Sequence, residues 1–184
     1  MRIATTLMTI AAGTLASGLA ITPAAAAPSD TTTTIFELEA GTLDIVTPAS
    51  ADLDAGASGT TITAQLGPIT VNDSRASTDA SWVSAVTSTD FTTGGATAVE
   101  TVPATVVEYW SGPATATTGD GTFTPGQVNS AAAAGLDNAD ELTAFTHTGG
   151  TGNDTATWNP TLEVNVPLVN VAGHYTGTVT HSVA

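Results

Sequence analysis

Apolar and polar residues alternate with period two along much of this chain, and the clearest case is the stretch Trp158 to Val183. Leu162, Val164 and Val166 fall on one face, Glu163 and Asn165 on the other. Pro167 interrupts ladder pairing and Gly173 marks a turn. A second run then sets Tyr175, Gly177 and Val179 against Thr176, Thr178 and Thr180. A strand with one buried face requires this period. Two such runs joined by a short segment bearing Pro and Gly predict a pair of antiparallel neighbours.

Earlier runs carry the same signal. Ile35–Val46 reads as a first strand pair or one bent strand, with Phe36 and Leu38 in phase before Gly41 and Leu43 and Ile45 in phase after it. Ile62, Ala64 and Leu66 alternate, and Ile69 and Val71 continue past Gly67-Pro68. Ser81–Phe91 is rich in Val, Thr and Ser and predicts a strand, with Trp82, Ser84 and Val86 opposite Val83 and Ala85. In Ala98–Trp110, Pro103 places the first part at an edge or a strand end. Val107 and Tyr109 then oppose Val106, Glu108 and Trp110. Residues 111–157 are the least patterned. Turn signals crowd the start of that region, and Asn129–Phe145, with its four alanines, admits either a helix or short strands. Short strands separated by Gly/Pro turns predict an all-β fold, an antiparallel β-sandwich of Greek-key (Ig-like) or jelly-roll kind with long Thr/Gly-rich loops.

Composition narrows the function classes. Of 184 residues, 17 are acidic and two basic, for a net charge of −15. Arg75 is the only Lys or Arg after Arg2. A phosphate backbone needs several cations, so nucleic acid is excluded as a partner, and anionic lipid would be repelled. The absence of cysteine removes disulfides and thiolate chemistry.

The amino-terminal region reads as an export signal. Arg2 precedes an apolar stretch of small residues from Ile3 to Ile21, and Ala24-Ala25-Ala26 offers a small-x-small cleavage site. The expected organisation is a signal peptide over residues 1–26, a flexible lead-in over 27–34 and a single sandwich domain over 35–184. No later run is apolar enough for a membrane-spanning helix. The expected product is secreted, and extracellular or loosely held at the cell wall.

No arrangement of residues makes a catalytic constellation, and the chain reads as a non-enzyme. Trp82 and Trp158 are expected to plug the core. Trp110 with Tyr109 beside it is the candidate ligand-binding pair, because neighbours on a strand point oppositely and one of them is free to face outward. Arg75 is expected to pin the loop before Trp82 by an ion pair to Asp73 or Asp79. Tyr175 belongs to the structural set on the inward face of the last run. His147, His174 and His181 do not have metal-ligand spacing and read as exposed or partly packed. No cofactor is expected. Calcium is the one ion whose ligand chemistry is represented, with Asp137, Asp140 and Glu141 as weak candidates that match no EF-hand loop.

Several pieces together resemble a family: GTLDI at 41–45, LGPITVNDSR at 66–75, Trp82, WNPTL at 158–162, Val166-Pro167 and GHYTGTVTHS at 173–182. In this order they are similar to the WxL-type domains of surface proteins from Gram-positive bacteria. Where that family carries its two Trp-x-Leu motifs, this chain has Trp82-Val83-Ser84 and His181-Ser182-Val183. The resemblance implies an envelope-associated module whose partner is a cell-wall polymer or another surface protein. A carbohydrate- or calcium-binding module is the alternative.

Overall fold

Among the described residues fourteen strands carry the alternation into three dimensions, and all of them pair antiparallel. The computed structural model describes residues 28–137 and 140–184. The chain divides into two units, Met1–Glu37 and Leu38–Ala184. In the first, the described residues 28–37 are exposed and without strand or helix. The export signal read over residues 1–26 lies outside the described residues. Every strand among the described residues lies in the second unit.

The strands are β1 (Leu43–Val46), β2 (Thr61–Gln65), β3 (Ile69–Ser77), β4 (Trp82–Ser88), β5 (Phe91–Thr92), β6 (Thr101–Val102) and β7 (Val107–Trp110). They continue with β8 (Ala114–Thr118), β9 (Thr122–Pro125), β10 (Ala134–Gly135), β11 (Leu142–Thr148), β12 (Gly152–Trp158), β13 (Thr161–Asn165) and β14 (Val179–Val183). Three four-stranded sheets run β1-β3-β12-β8, β10-β7-β13-β2 and β14-β4-β11-β9, and β5 and β6 form a short ribbon. This is an all-β sandwich. Among the described residues, helix is limited to 3-10 turns of three residues each, and no helix is long and apolar enough to cross a membrane.

Two strands run from one sheet into another at proline kinks. The chain leaves β2 through Gly67-Pro68 to enter β3, and leaves β12 through Asn159-Pro160 to enter β13. Gly67 holds φ at +93°, a conformation that disfavours any residue with a Cβ. Proline has no N–H to give a ladder, so a bend there loses no hydrogen bond. The kinks are tied together by Leu66 N donating to Pro160 O at 2.9 Å.

One apolar cluster fills the interior. Trp82, Trp158, Tyr109 and Phe145 are its largest members, with Ile69, Val71, Val86, Val107, Leu136 and Leu162 around them. Phe145 stacks on Trp158 with ring centres 4.9 Å apart. Each of these large side chains contributes roughly 1.5–3 kcal/mol by leaving water. Together they compensate for the many alanines, which bury little area.

Three expectations from the sequence are corrected. First, the two closing runs are not neighbours. β13 pairs with β2 and β7, whereas β14 pairs with β4 in another sheet. The faces were read correctly, since Tyr175, Gly177 and Val179 are half-buried and Thr176, Thr178 and Thr180 exposed. Period two fixes which side faces in, not which strand lies alongside. Second, of Ile35–Val46 only Leu43–Val46 forms a strand. Gly41 N still bonds Ser74 O, but the ladder with β3 runs only over Leu43–Val46. Third, the described residues of 111–157 hold β8 to β11 and nearly all of β12. The alanine run makes one 3-10 turn, Ser130–Ala132, with Asn129 Oδ1 accepting from Ala131 N, and then pairs as β10 beside β7. An isolated alanine helix so short is unstable in water.

Candidate functional site

The sheet β10-β7-β13-β2 has an inner and an outer face, and the register assigns each residue to one of them. Inward rows are Val107–Val164–Ile62 and Tyr109–Leu162–Ala64. Outward rows are Gly135–Glu108–Glu163–Thr63 and Trp110–Thr161–Gln65, followed by Asn165–Thr61. Trp110, Glu108 and Glu163 are half-buried, while Thr63, Gln65 and Asn165 are exposed. An indole therefore lies on a solvent-facing sheet surface, amid hydroxyl, amide and carboxylate groups.

The two glutamates are an electrostatic oddity. Glu108 and Glu163 stand directly opposite each other across the ladder. Such pairs place their Cβ atoms about 4.5–5.5 Å apart, and like charges there are destabilising. Among the described residues the ion pairs are Arg75–Asp73 and His147–Asp154, so neither glutamate has a cationic partner. Gly135, beside Glu108, contributes no side chain, and a Cβ built on it meets only Thr105 O at 3.9 Å. The sequence shows both glutamates at outward phase, but only the register sets them face to face.

Tyr109 does not share this surface. It is fully buried, so the pair Trp110–Tyr109 is divided between the two sides of the sheet. The Tyr109 hydroxyl accepts from Trp158 Nε1 at 3.3 Å and lies 3.1 Å from His181 Nε2. Burial pushes the hydroxyl far above its ordinary pKa. Burial also lowers His181, to about 4.

A second polar centre is internal. Arg75 donates through Nε and Nη2 to the Asp73 carboxylate, with a closest approach of 2.6 Å, and through Nη2 to Ser81 O at 3.0 Å. These bonds hold the Asp73 carboxyl below its ordinary value against the opposing effect of burial. Asp79 accepts instead from Ser81 N and Oγ. Trp82 Nε1 donates to Asp154 Oδ1 at 2.9 Å. Asp154 Oδ2 lies 3.3 Å from His147 Nδ1.

His147 is fully buried here, contrary to the exposed or partly packed side chain expected. Its Nδ1 lies 3.0 Å from Ala80 O and its Nε2 2.8 Å from Asp120 O. Each ring nitrogen thus faces a backbone carbonyl, and the Asp154 carboxylate stands beside Nδ1. Gly121 and Gly150 close around the ring so tightly that a Cβ on either would overlap it. The hydrogen bonds of this centre join β4 to β12 and hold the loops around Ala80 and Asp120, while Asp154 Oδ2 is left without a hydrogen-bond donor.

The remaining expected residues are scattered. Tyr175 Oη donates to Val171 O at 2.8 Å, tying its own loop. His174 is exposed. Asp137 and Asp140 meet through Asp140 N donating to Asp137 Oδ1 at 2.8 Å, while Glu141 is exposed. Among the described residues no three acidic or imidazole side chains converge as metal ligands.

A groove of about 1280 Å³ opens beside the same sheet, with residues 47–58 and 170–178 at its sides and Ile62, Leu66, Ile69 and Val164 along its floor. No sequence pattern marked it, because its lining comes from segments far apart in the chain.

No protein-family model matches this chain, and neither does any curated protein or solved structure.

Proposed function

We propose that the chain is an exported, non-enzymatic module of the bacterial envelope that recognises a surface polymer or another surface protein. The supporting observation is Trp110, half-buried on the outer face of a sheet. An indole so placed gives a flat apolar platform for the C–H face of a sugar ring. Along its row on the outer face Thr161 stands beside Trp110 and Gln65 beyond it, with Glu108 and Glu163 in the next row, so donors and acceptors share the face as a polyhydroxylated ligand requires. The resemblance to WxL-type domains and the export signal favour a cell-wall polymer as the first ligand to test. Recognition on this reading needs neither cofactor nor metal. The calcium alternative is tested by calorimetric titration, where binding heat with a matching rise in Tm would replace the present reading.

The test is retention of the purified protein on peptidoglycan sacculi across a salt series. Wild type is expected to sediment with the sacculi. Trp110→Ala is expected to lose roughly tenfold or more in affinity with its melting temperature little changed, the scale of one lost stacking contact of about 1–3 kcal/mol. Failure of the wild type to bind at every salt concentration removes the wall-polymer reading. Undiminished binding by Trp110→Ala removes this face as the site.

A further inference from the structure

Four side chains on the outer face of the β10-β7-β13-β2 sheet form a quartet on two paired strands. Trp110 stands opposite Thr161, and Glu108 stands opposite Glu163 one step along the same strands. Among the described residues neither carboxylate has a cation or a hydrogen-bond donor from the protein. Thr161 is 9% exposed, yet among the described residues its hydroxyl makes no hydrogen bond. That hydroxyl is not sealed from solvent as the partnerless Ser84 Oγ is, so it stays open to a ligand. Gly135, next to Glu108 across the ladder, leaves that side of the quartet without a side chain. An unpaired hydroxyl at low exposure and like charges set face to face both cost stability. One ligand that carries a cation beside hydroxyl groups removes both costs.

We propose that the ligand of the Trp110 face is an amino-sugar polymer, a saccharide whose ring amines are free and protonated. This rests on the reading of that face as a saccharide platform and names the class of saccharide. The ring stacks on the indole, its ammonium group enters between Glu108 and Glu163, and the Thr161 hydroxyl shares a hydrogen bond with a ring hydroxyl. Residues two apart on a strand are separated by about 6.5 Å, so Trp110 and Glu108 are both within reach of one ring and its substituent. An N-acetylated sugar brings an acetyl group in place of the charge and leaves the carboxylate pair unneutralised. A basic peptide supplies the charge without the hydroxylated ring that Trp110, Thr161 and Gln65 accommodate.

The probes are glucosamine trimer, N-acetylglucosamine trimer and capped trilysine, titrated into ¹⁵N-labelled protein at about pH 6, below the ordinary range of an amino group. Saturable shifts centred on the Trp110 indole N–H are expected with glucosamine trimer, and the other two are expected to bind roughly tenfold or more weakly. Glu108→Gln combined with Glu163→Gln is expected to raise the melting temperature by about 1–4 °C and to remove the preference for glucosamine trimer. Gly135→Lys places an ammonium group beside the pair and is expected to do the same. Asp52→Asn combined with Asp54→Asn removes two exposed charges elsewhere and is expected to leave the preference in place. Equal affinity for the two sugar trimers, trilysine as tight as glucosamine trimer, an equal loss in the Asp52/Asp54 variant, or a lower melting temperature in the Glu108/Glu163 variant overturns the proposal. Equal affinity of the two sugars at Trp110 still leaves the saccharide platform standing, whereas no shift at Trp110 with either sugar removes the platform and this proposal with it.

Discussion

His181 stands at the end of a relay in which Trp158 Nε1 donates to the Tyr109 hydroxyl and that hydroxyl faces His181 Nε2. An acceptor at Nε2 means a neutral ring, in keeping with a pKa lowered by burial from the ordinary 6.5 to about 4. Between those values the unfolded chain binds a proton that the native chain does not. The contribution to stability is therefore complete above pH 6.5, is lost as pH falls toward about 4, and changes no further below that. The loss is on the order of 3 kcal/mol. Replacing the ring with a non-titrating acceptor, His181→Gln, is expected to make the fall in melting temperature over that window shallower. Parallel curves for the two proteins would contradict the relay. At this scale the sequence was legible for Trp82 and Trp158, whose size alone calls for burial. It was not legible for His147 or for the Glu108–Glu163 pair, whose surroundings come from strands distant in the chain.

Among elements, the exposed segment around Ile35 is the outlier. Ile35, Phe36 and Leu38 are 93%, 95% and 78% exposed, although their alternation is that of a strand. A segment with no packing and no ladder contributes little to stability. Deleting residues 28–37 is expected to change unfolding free energy in urea by less than about 0.5 kcal/mol. Thermolysin, which cuts beside large apolar residues, is expected to cleave there first. A loss of about 2 kcal/mol or more would mean that the segment is packed in solution. The closing runs teach the complementary lesson. Their alternation predicted burial correctly for Leu162, Val164 and Val179, yet their partners were set by the long connection through Pro167 and Gly173. The alanines at 131–134 gave no usable preference, because a helix there is too short and the strand depended on β7 being present to pair with it.

For the whole molecule, charge is the dominant peculiarity. With −15 on 184 residues and few opposing cations, the folded state compresses like charges. Raising NaCl from about 20 mM to about 500 mM shortens the screening length below typical charge spacings, and melting temperature is expected to rise by a few degrees. A constant or falling melting temperature would show that repulsion does not govern stability. The Arg75–Asp73 pair adds little to this response, since Asp73 is buried and screened only weakly.

What the sequence determined by itself was local. It set the faces of the strands, the breaks at Gly and Pro, the all-β class and the acidic surface, because each depends on neighbours within a few residues or on composition alone. Tertiary structure decided the rest: which strands are adjacent, the opposition of Glu108 and Glu163, the division of Tyr109 from Trp110, the enclosure of His147, and the groove. Those features depend on register and on contacts between distant segments, and a period-two pattern is compatible with many pairings.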